Sequence, residues 1–291
     1  MDSFGLAACY LLVVADDPGI YVEILICADA DEIWRRTQIP DLHERWDLRF
    51  TAIEYLPRRS EDEPQRFVYS TRIGFGLSIE GEGESTGTRE DATGARTSAL
   101  KFWSSDAKSL IEEGSGYWQY LPIIDGVRFL TWYDYRARFG HVGRLVDRLL
   151  FRRLIGWATA WSFDRLRLWI DRGIPPETSM RMTLIHAFAR FGIAFTWLWQ
   201  GLVPAFGVLE LVFAAVTLCF WRWRLFFVLN VLAMLGALIA VALRSPSYLV
   251  AAFNPVTLNV GMVLLSIIGY ISAADLPSAS RCLRSAPQKA L

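Results

Sequence analysis

Two patterns of hydrophobic and polar positions divide the chain. Up to Arg181, charges recur every few residues and short runs alternate apolar with polar. From Met182 to Ala274 five charges remain: Arg190, Glu210, Arg222, Arg224 and Arg244. Period-two alternation predicts strands and period-3.6 spacing predicts helices. In the first part Tyr21–Ala28 reads as a strand. Asp29 caps a helix through Ile33, Trp34 and Arg36 with acids in its first turn, and Pro40–Trp46 forms a second short helix. Strands follow at Leu48–Tyr55, Gln65–Ile73, Leu77–Thr88, Thr97–Ser104, Gly116–Pro122 and Val127–Arg138. His141–Ile170 reads as one long helix with Val142, Val146, Leu150, Leu154, Trp157 and Trp161 on a stripe. That stripe would cover the sheet. Seven Arg against three Asp between 141 and 172 add contact with anionic headgroups as a compatible role.

The second part holds four apolar segments, 184–203, 206–221, 225–243 and 257–274. They are close to the ~20 residues a bilayer core requires, and the chain has too little polar surface to cover them in water. They are expected to form an all-α bundle of four transmembrane helices. Arg172, Arg181, Arg222, Arg224, Arg281, Arg284 and Lys289 fall on one side of such a bundle and only Arg244 on the other. This expects a multi-pass protein of the cell membrane with both termini cytoplasmic. Trp197, Trp199, Trp221, Trp223 and Tyr270 near segment ends fit interfacial anchors.

Polar residues in such segments are functional candidates. They are Arg190, Gln200, Glu210, Asn254 and Asn259. Arg190 or Gln200 could partner Glu210, and the depths of Arg190 and Glu210 along their helices differ. The run Arg190-Phe-Gly-Ile-Ala-Phe-Thr-Trp197-Leu-Trp199-Gln200-Gly201-Leu-Val-Pro204 with Glu210, and the later Asn254-Pro255-Val-Thr-Leu-Asn259, resembles DoxX-like membrane domains over roughly 183–276. Ala205 replaces the family's usual basic residue after the proline. The resemblance implies a four-helix membrane module, with quinone or sulfur metabolism attached to some members.

The element order of residues 20–172, with Asp31-Glu32-Ile33-Trp34 and Arg45-Trp46-Asp47, resembles the START-like superfamily, which includes Bet v 1 and polyketide-cyclase-like proteins. It implies an α+β helix-grip fold, a curved antiparallel sheet around a long C-terminal helix with an apolar cavity between. Tyr69, Phe102, Phe129, Tyr133 and Tyr135 would then line the cavity, or equally form plain core. The expected organisation is an N-terminal extension (1–19), the START-like unit (20–176), the DoxX-like unit (177–276) and a polar tail (277–291).

Composition narrows the chemistry. Net charge is zero, which gives no argument for nucleic acid. Cys9, Cys27, Cys219 and Cys282 are scattered, and Cys27 and Cys219 read as small buried hydrophobes. His43, His141 and His186 are dispersed, so no metal is expected, and Glu80, Glu82 and Glu84 read as one solvated strand face. His43 beside Glu44 and Asp47 is either an acid/base pair at a cavity mouth or a surface histidine. No nucleotide-binding or nucleophile-elbow motif occurs. Gly5–Ala15 lacks a positive flank and is too short to span, so an N-terminal strand or ordered extension fits better than a signal peptide.

The expected function is a membrane-anchored protein holding a hydrophobic small molecule (lipid, isoprenoid or quinone-like). No cofactor is required, though a quinone or lipid would fit, and membrane lipid is a partner. One alternative is a membrane enzyme or subunit with cyclase-like or quinone-linked chemistry using Arg190, Gln200 and Glu210. Another is a regulatory or assembly subunit without ligand, with a membrane-protein partner or a second copy.

Overall fold

A computed structural model describes residues 19–60, 63–74, 76–203, 207–252 and 254–286. The Gly5–Ala15 segment lies outside these. The described chain forms two compact units, residues up to Pro176 together with those from Pro277, and Glu177–Leu276.

The first unit is built on a seven-stranded antiparallel sheet in the order β1-β7-β6-β5-β4-β3-β2. Strand β1 (Ile20–Ile26) buries Ile20, Val22, Ile24 and Ile26 on one face, as its alternation requires. Helices α1 (Ala30–Gln38) and α2 (Pro40–Trp46) follow. Asp29 caps α1 by accepting from the Glu32 amide at 2.7 Å, and proline opens α2, where its missing N–H costs nothing. Strands β2 (Ala52–Tyr55), β3 (Arg66–Gly74), β4 (Leu77–Glu90), β5 (Arg96–Trp103), β6 (Ile111–Ile123) and β7 (Gly126–Ala137) then meander. The return of β1 to β7 completes the sheet.

Two strand starts differ from the sequence pattern by more than two residues. β2 begins at Ala52, not Leu48, because the Asp47 carboxylate captures the Arg49 amide at 3.0 Å and turns the chain. β6 begins at Ile111, where Glu113 and Gly114 pair with Arg136 and Tyr135 despite a polar, glycine-broken pattern.

The expected long helix is two helices joined by a π-turn. These are α3 (Gly140–Val146), the turn Asp147–Phe151 and α4 (Arg152–Arg172). Its apolar stripe does not cover the sheet: Val142, Val146, Leu150, Leu154 and Trp157 are all exposed, and only Trp161 is buried. The π-turn explains the reversal. The extra residue swings Asp147 inward, where it accepts from the Tyr135 hydroxyl at 2.6 Å and from Arg152 Nε at 3.1 Å. The sheet is met instead by the next turns of α4, where Phe163 stacks on Phe129 with ring centres 4.5 Å apart.

The tail belongs to this unit. Ser278 N donates to Asp164 at 2.7 Å and Arg281 to the same carboxylate at 2.6 Å. Leu283 exchanges two backbone hydrogen bonds of 2.9 Å with Glu23 on the outer edge of β1, and Cys282 is buried beneath.

The second unit contains α5 (Pro176–Leu202), α6 (Val208–Cys219), α7 (Leu225–Arg244) and α8 (Pro255–Ser272). Among the described residues, α7 and α8 are the helices long and apolar enough to cross a membrane. α6, at twelve residues, is about 18 Å long. The core of the unit gathers Ile193, Phe226, Phe227, Met234 and Met262. Gly269 permits a close helix–helix approach, since a Cβ there would lie 2.2 Å from the Phe227 ring. Two cysteine expectations are corrected. Cys27 sits in the bend beyond β1 and Cys219 on an outward face of α6, and both are exposed.

Candidate functional site

Among the described residues, each unit contains a buried polar centre around an arginine and a histidine. In the first, Asp47 follows α2, where the end of the helix places it beneath the sheet. It is buried and takes both Arg49 Nε (2.9 Å) and Nη2 (2.6 Å). Burial opposes ionisation of Asp47, but the Arg49 charge and bonds from His43 and Arg49 hold its carboxyl well below the usual carboxylate range. His43 is therefore not a surface histidine. It is buried, stacks on Trp46, meets Trp118 edge-on and lies 3.1 Å from Asp47 through Nε2. Burial lowers its pKa, so it is neutral and donates its Nε2 proton to Asp47.

Around this centre the sheet presents an aromatic face. Arg49 lies over the rings of Phe50 and Tyr133 at 5.4 Å each. Phe50 meets Tyr69 edge-on at 5.4 Å, and Phe102 meets Tyr133 at 6.5 Å. The rings lie across glycines of the neighbouring strands. A Cβ at Gly81 would sit 2.3 Å from Tyr69, and one at Gly114 would sit 2.5 Å from Phe102. Tyr69 and Phe102 are half-buried, and burial pushes the Tyr69 phenol up to about 12.

The five expected cavity residues thus divide. Phe129 is fully buried against Phe163 and is core. Tyr135 is committed to Asp147, and burial together with that carboxylate raises its pKa. Tyr133 is buried with its hydroxyl 2.8 Å from Thr159 Oγ1, and its ring faces Arg49. Tyr69 and Phe102 are each linked to Arg49 through one ring, Tyr69 through Phe50 and Phe102 through Tyr133. Arg49 was the residue the sequence did not mark, although its place two positions after Arg45-Trp46-Asp47 was the available clue. An open cleft of 580 Å³ lies elsewhere, beside Cys27, Asp31 and Pro122, and its Arg96 already pairs with Asp31 and Glu90.

In the second unit Arg190 is fully buried on α5. Its Nη1 donates to the Thr217 carbonyl at 2.6 Å, Nη2 to the Trp223 carbonyl at 3.0 Å and Nε to His186 at 3.2 Å. Its guanidinium also lies 4.7 Å from the Phe227 ring centre. Glu210 is not among its partners. Arg190 holds the C-terminal end of α6, and Glu210 stands in the first turn of the same helix. The two charges therefore complement opposite ends of one helix dipole. Gln200 is exposed, and Asn254 caps α8 by accepting from the Thr257 amide at 3.0 Å. Asn259 donates to the Met234 carbonyl at 3.4 Å. Five intramembrane candidates thus serve separate places.

The sequence reading missed the residues that do converge. His186, one helical turn before Arg190, contacts the Gly269 and Trp221 carbonyls at 3.1 and 2.9 Å. Trp197 Nε1 donates to Asn230 at 2.7 Å, and Asn230 to Ser266 at 2.7 Å. The available clue was a lone histidine, asparagine or serine inside an apolar run.

Residues 167–267 match the DoxX-like family. The uncharacterized membrane protein YndG of Bacillus subtilis (strain 168) is 46% identical over 183 residues, which is 62% of this chain and 68% of that protein. The chain therefore belongs to the same family of membrane proteins as YndG. Among solved structures, the first unit is similar to a STAR-related lipid transfer protein from Xanthomonas axonopodis, with 18% identity and a TM-score of 0.39 over 54% of this chain and 89% of that one. A hypothetical protein from Helicobacter pylori is 16% identical with a TM-score of 0.42, over 54% of this chain and 91% of that one.

Proposed function

We propose that the chain is a membrane-anchored binding protein whose cytoplasmic unit holds a hydrophobic small molecule with a polar end. The carrying observation is the half-buried aromatic face of Phe50, Tyr69 and Phe102 around Arg49. Asp47 takes two of the five guanidinium N–H groups, and the Tyr133 hydroxyl is a further partner. The others suit a hydroxyl, carbonyl or carboxylate oxygen on a ligand whose apolar body lies on the rings. The enzyme alternative finds less support, because Arg190, Gln200 and Glu210 do not meet.

Two observations support a multi-pass anchor with both termini cytoplasmic. The second unit is apolar outside and polar inside: Phe188, Leu209 and Leu243 are 74, 73 and 80% exposed, while His186, Arg190, Thr217, Asn230 and Ser266 are at 0%. All four helices present such apolar surfaces, which suits lipid. The two ends of the segment are also held by neighbouring residues of α4. Arg165 binds the Pro176 carbonyl at 3.0 Å, and Asp164 binds Ser278. A segment that leaves and returns at one place crosses a bilayer an even number of times. We assign four crossings, with α6 and its flanking residues as the shortest.

The test is to purify the full chain in mild detergent and identify co-extracted molecules by mass spectrometry. The expected result is one lipid-like species at near-stoichiometric amount, lost from a Tyr69→Leu/Phe102→Leu variant that keeps its thermal stability. Empty wild-type protein, or retention by that variant, overturns the placement on the aromatic face.

A further inference from the structure

The segment Phe139–Trp157 carries an apolar surface that stands exposed among the described residues. Val142, Leu149, Leu150 and Leu154 are 70, 60, 63 and 53% exposed, and Phe139, Leu145, Val146 and Trp157 are exposed beside them. Eight large apolar side chains on one short segment exceed the scatter of single hydrophobics found on soluble surfaces. Arg144, Arg148 and Arg153 are exposed on the same segment, and none forms an ion pair with a described residue. Its one acid, Asp147, is turned inward to Tyr135 and Arg152. The π-turn thus does two things at once. It removes the negative charge from the surface and turns the leucines outward.

We propose that this segment lies in the headgroup layer of an anionic bilayer, with leucines in the acyl boundary and arginines at the phosphates. Charge selects this occupant, because an apolar stripe edged by arginines that have no carboxylate partner among the described residues complements anionic lipid. The same chain carries α7 and α8, so a bilayer is always within reach. The inference rests on the membrane-anchored reading. It adds that the first unit docks on the membrane rather than hanging from it by a linker, which puts the ligand-holding unit at the surface where an apolar ligand dissolves.

The experiment places a spin label at Leu149→Cys in the full chain, its four native cysteines replaced by serine. The protein is reconstituted in phosphatidylcholine vesicles with and without phosphatidylglycerol. Collision with oxygen and with a water-soluble nickel chelate reports lipid or water. A label at Leu264→Cys on α8 tests the anchor itself, and one at Ile73→Cys serves as a water-exposed reference. The expected result is lipid contact at 149 with phosphatidylglycerol present. Each of Arg144→Gln, Arg148→Gln and Arg153→Gln should lower the docked-to-undocked ratio about fivefold. If 264 meets lipid but 149 meets water, the docking fails and the anchor stands. If 264 meets water, the anchor itself fails. Equal lipid contact at 149 without phosphatidylglycerol overturns the anionic preference, and spin–spin broadening at 149 without lipid contact assigns the stripe to a second copy.

Discussion

Each unit withdraws an arginine from water, Arg49 with 13% of its side chain exposed and Arg190 with none, and the two are neutralised in different ways. Arg49 faces a carboxylate, Asp47, two residues away, so both charges can be exchanged for apolar side chains together. Arg190 has no carboxylate among its partners. Its charge is spread over two carbonyls, a histidine and an aromatic face. The carbonyls belong to the end of α6 and the bend after it, and no substitution removes them. A buried side-chain pair is therefore a replaceable element, whereas a charge placed on backbone is bound to the path of the chain. If the second unit faces lipid, as proposed above, an orphan carbonyl there finds no water and the second arrangement is the more constrained.

That contrast can be broken by substitution. Asp47→Ala should cost the most, about 3–5 kcal/mol, because it strands a buried guanidinium. Asp47→Leu with Arg49→Met should recover most of this, as read by thermal denaturation of the purified chain. Arg190→Met should cost about 2–4 kcal/mol by orphaning two carbonyls, and no second side-chain change should rescue it. Asp164→Ala should cost about 2 kcal/mol and loosen the tail, measured as faster amide exchange at Leu283 and Glu23.

Acid should act on the first unit in two stages. His43 has a lowered folded pKa, so its unfolded form binds the proton first and stability falls as pH drops below 6.5. Asp47 is likewise depressed, so its contribution is present above about 4 and is lost as pH falls toward its folded value. Tryptophan fluorescence of His43→Gln against pH should lack the first stage. Glu210→Gln should be the smallest effect, roughly 0.3–1 kcal/mol, since only the helix dipole responds to it.

The strands and the two short helices were legible because alternation and capping are local. Ile20, Val22, Ile24 and Ile26 alternate visibly, and Asp29 announces α1. The π-turn was not legible, since the stripe from Val142 to Trp157 has ordinary helical spacing and only the pull of Tyr135 on Asp147 turns it outward. The site was half legible. Tyr69 and Phe102 stand out as aromatics on a face, whereas Phe129 and Tyr135 look identical and become core and buried hydrogen-bond donor through contacts far along the chain. The expected partner of Glu210 failed for a related reason, because a charge can answer a helix end as well as another charge.

The bridge between Leu283 and Glu23 has a consequence for synthesis. When the sheet first assembles, β1 is paired on one side only, and its other edge awaits residues translated after the last helix. An open edge of apolar alternation is a template for wrong pairing. The clasp of Ser278 and Leu283 therefore ties completion of the first unit to delivery of α8 into place. A misrouted α8 would leave that edge of the sheet without its cover.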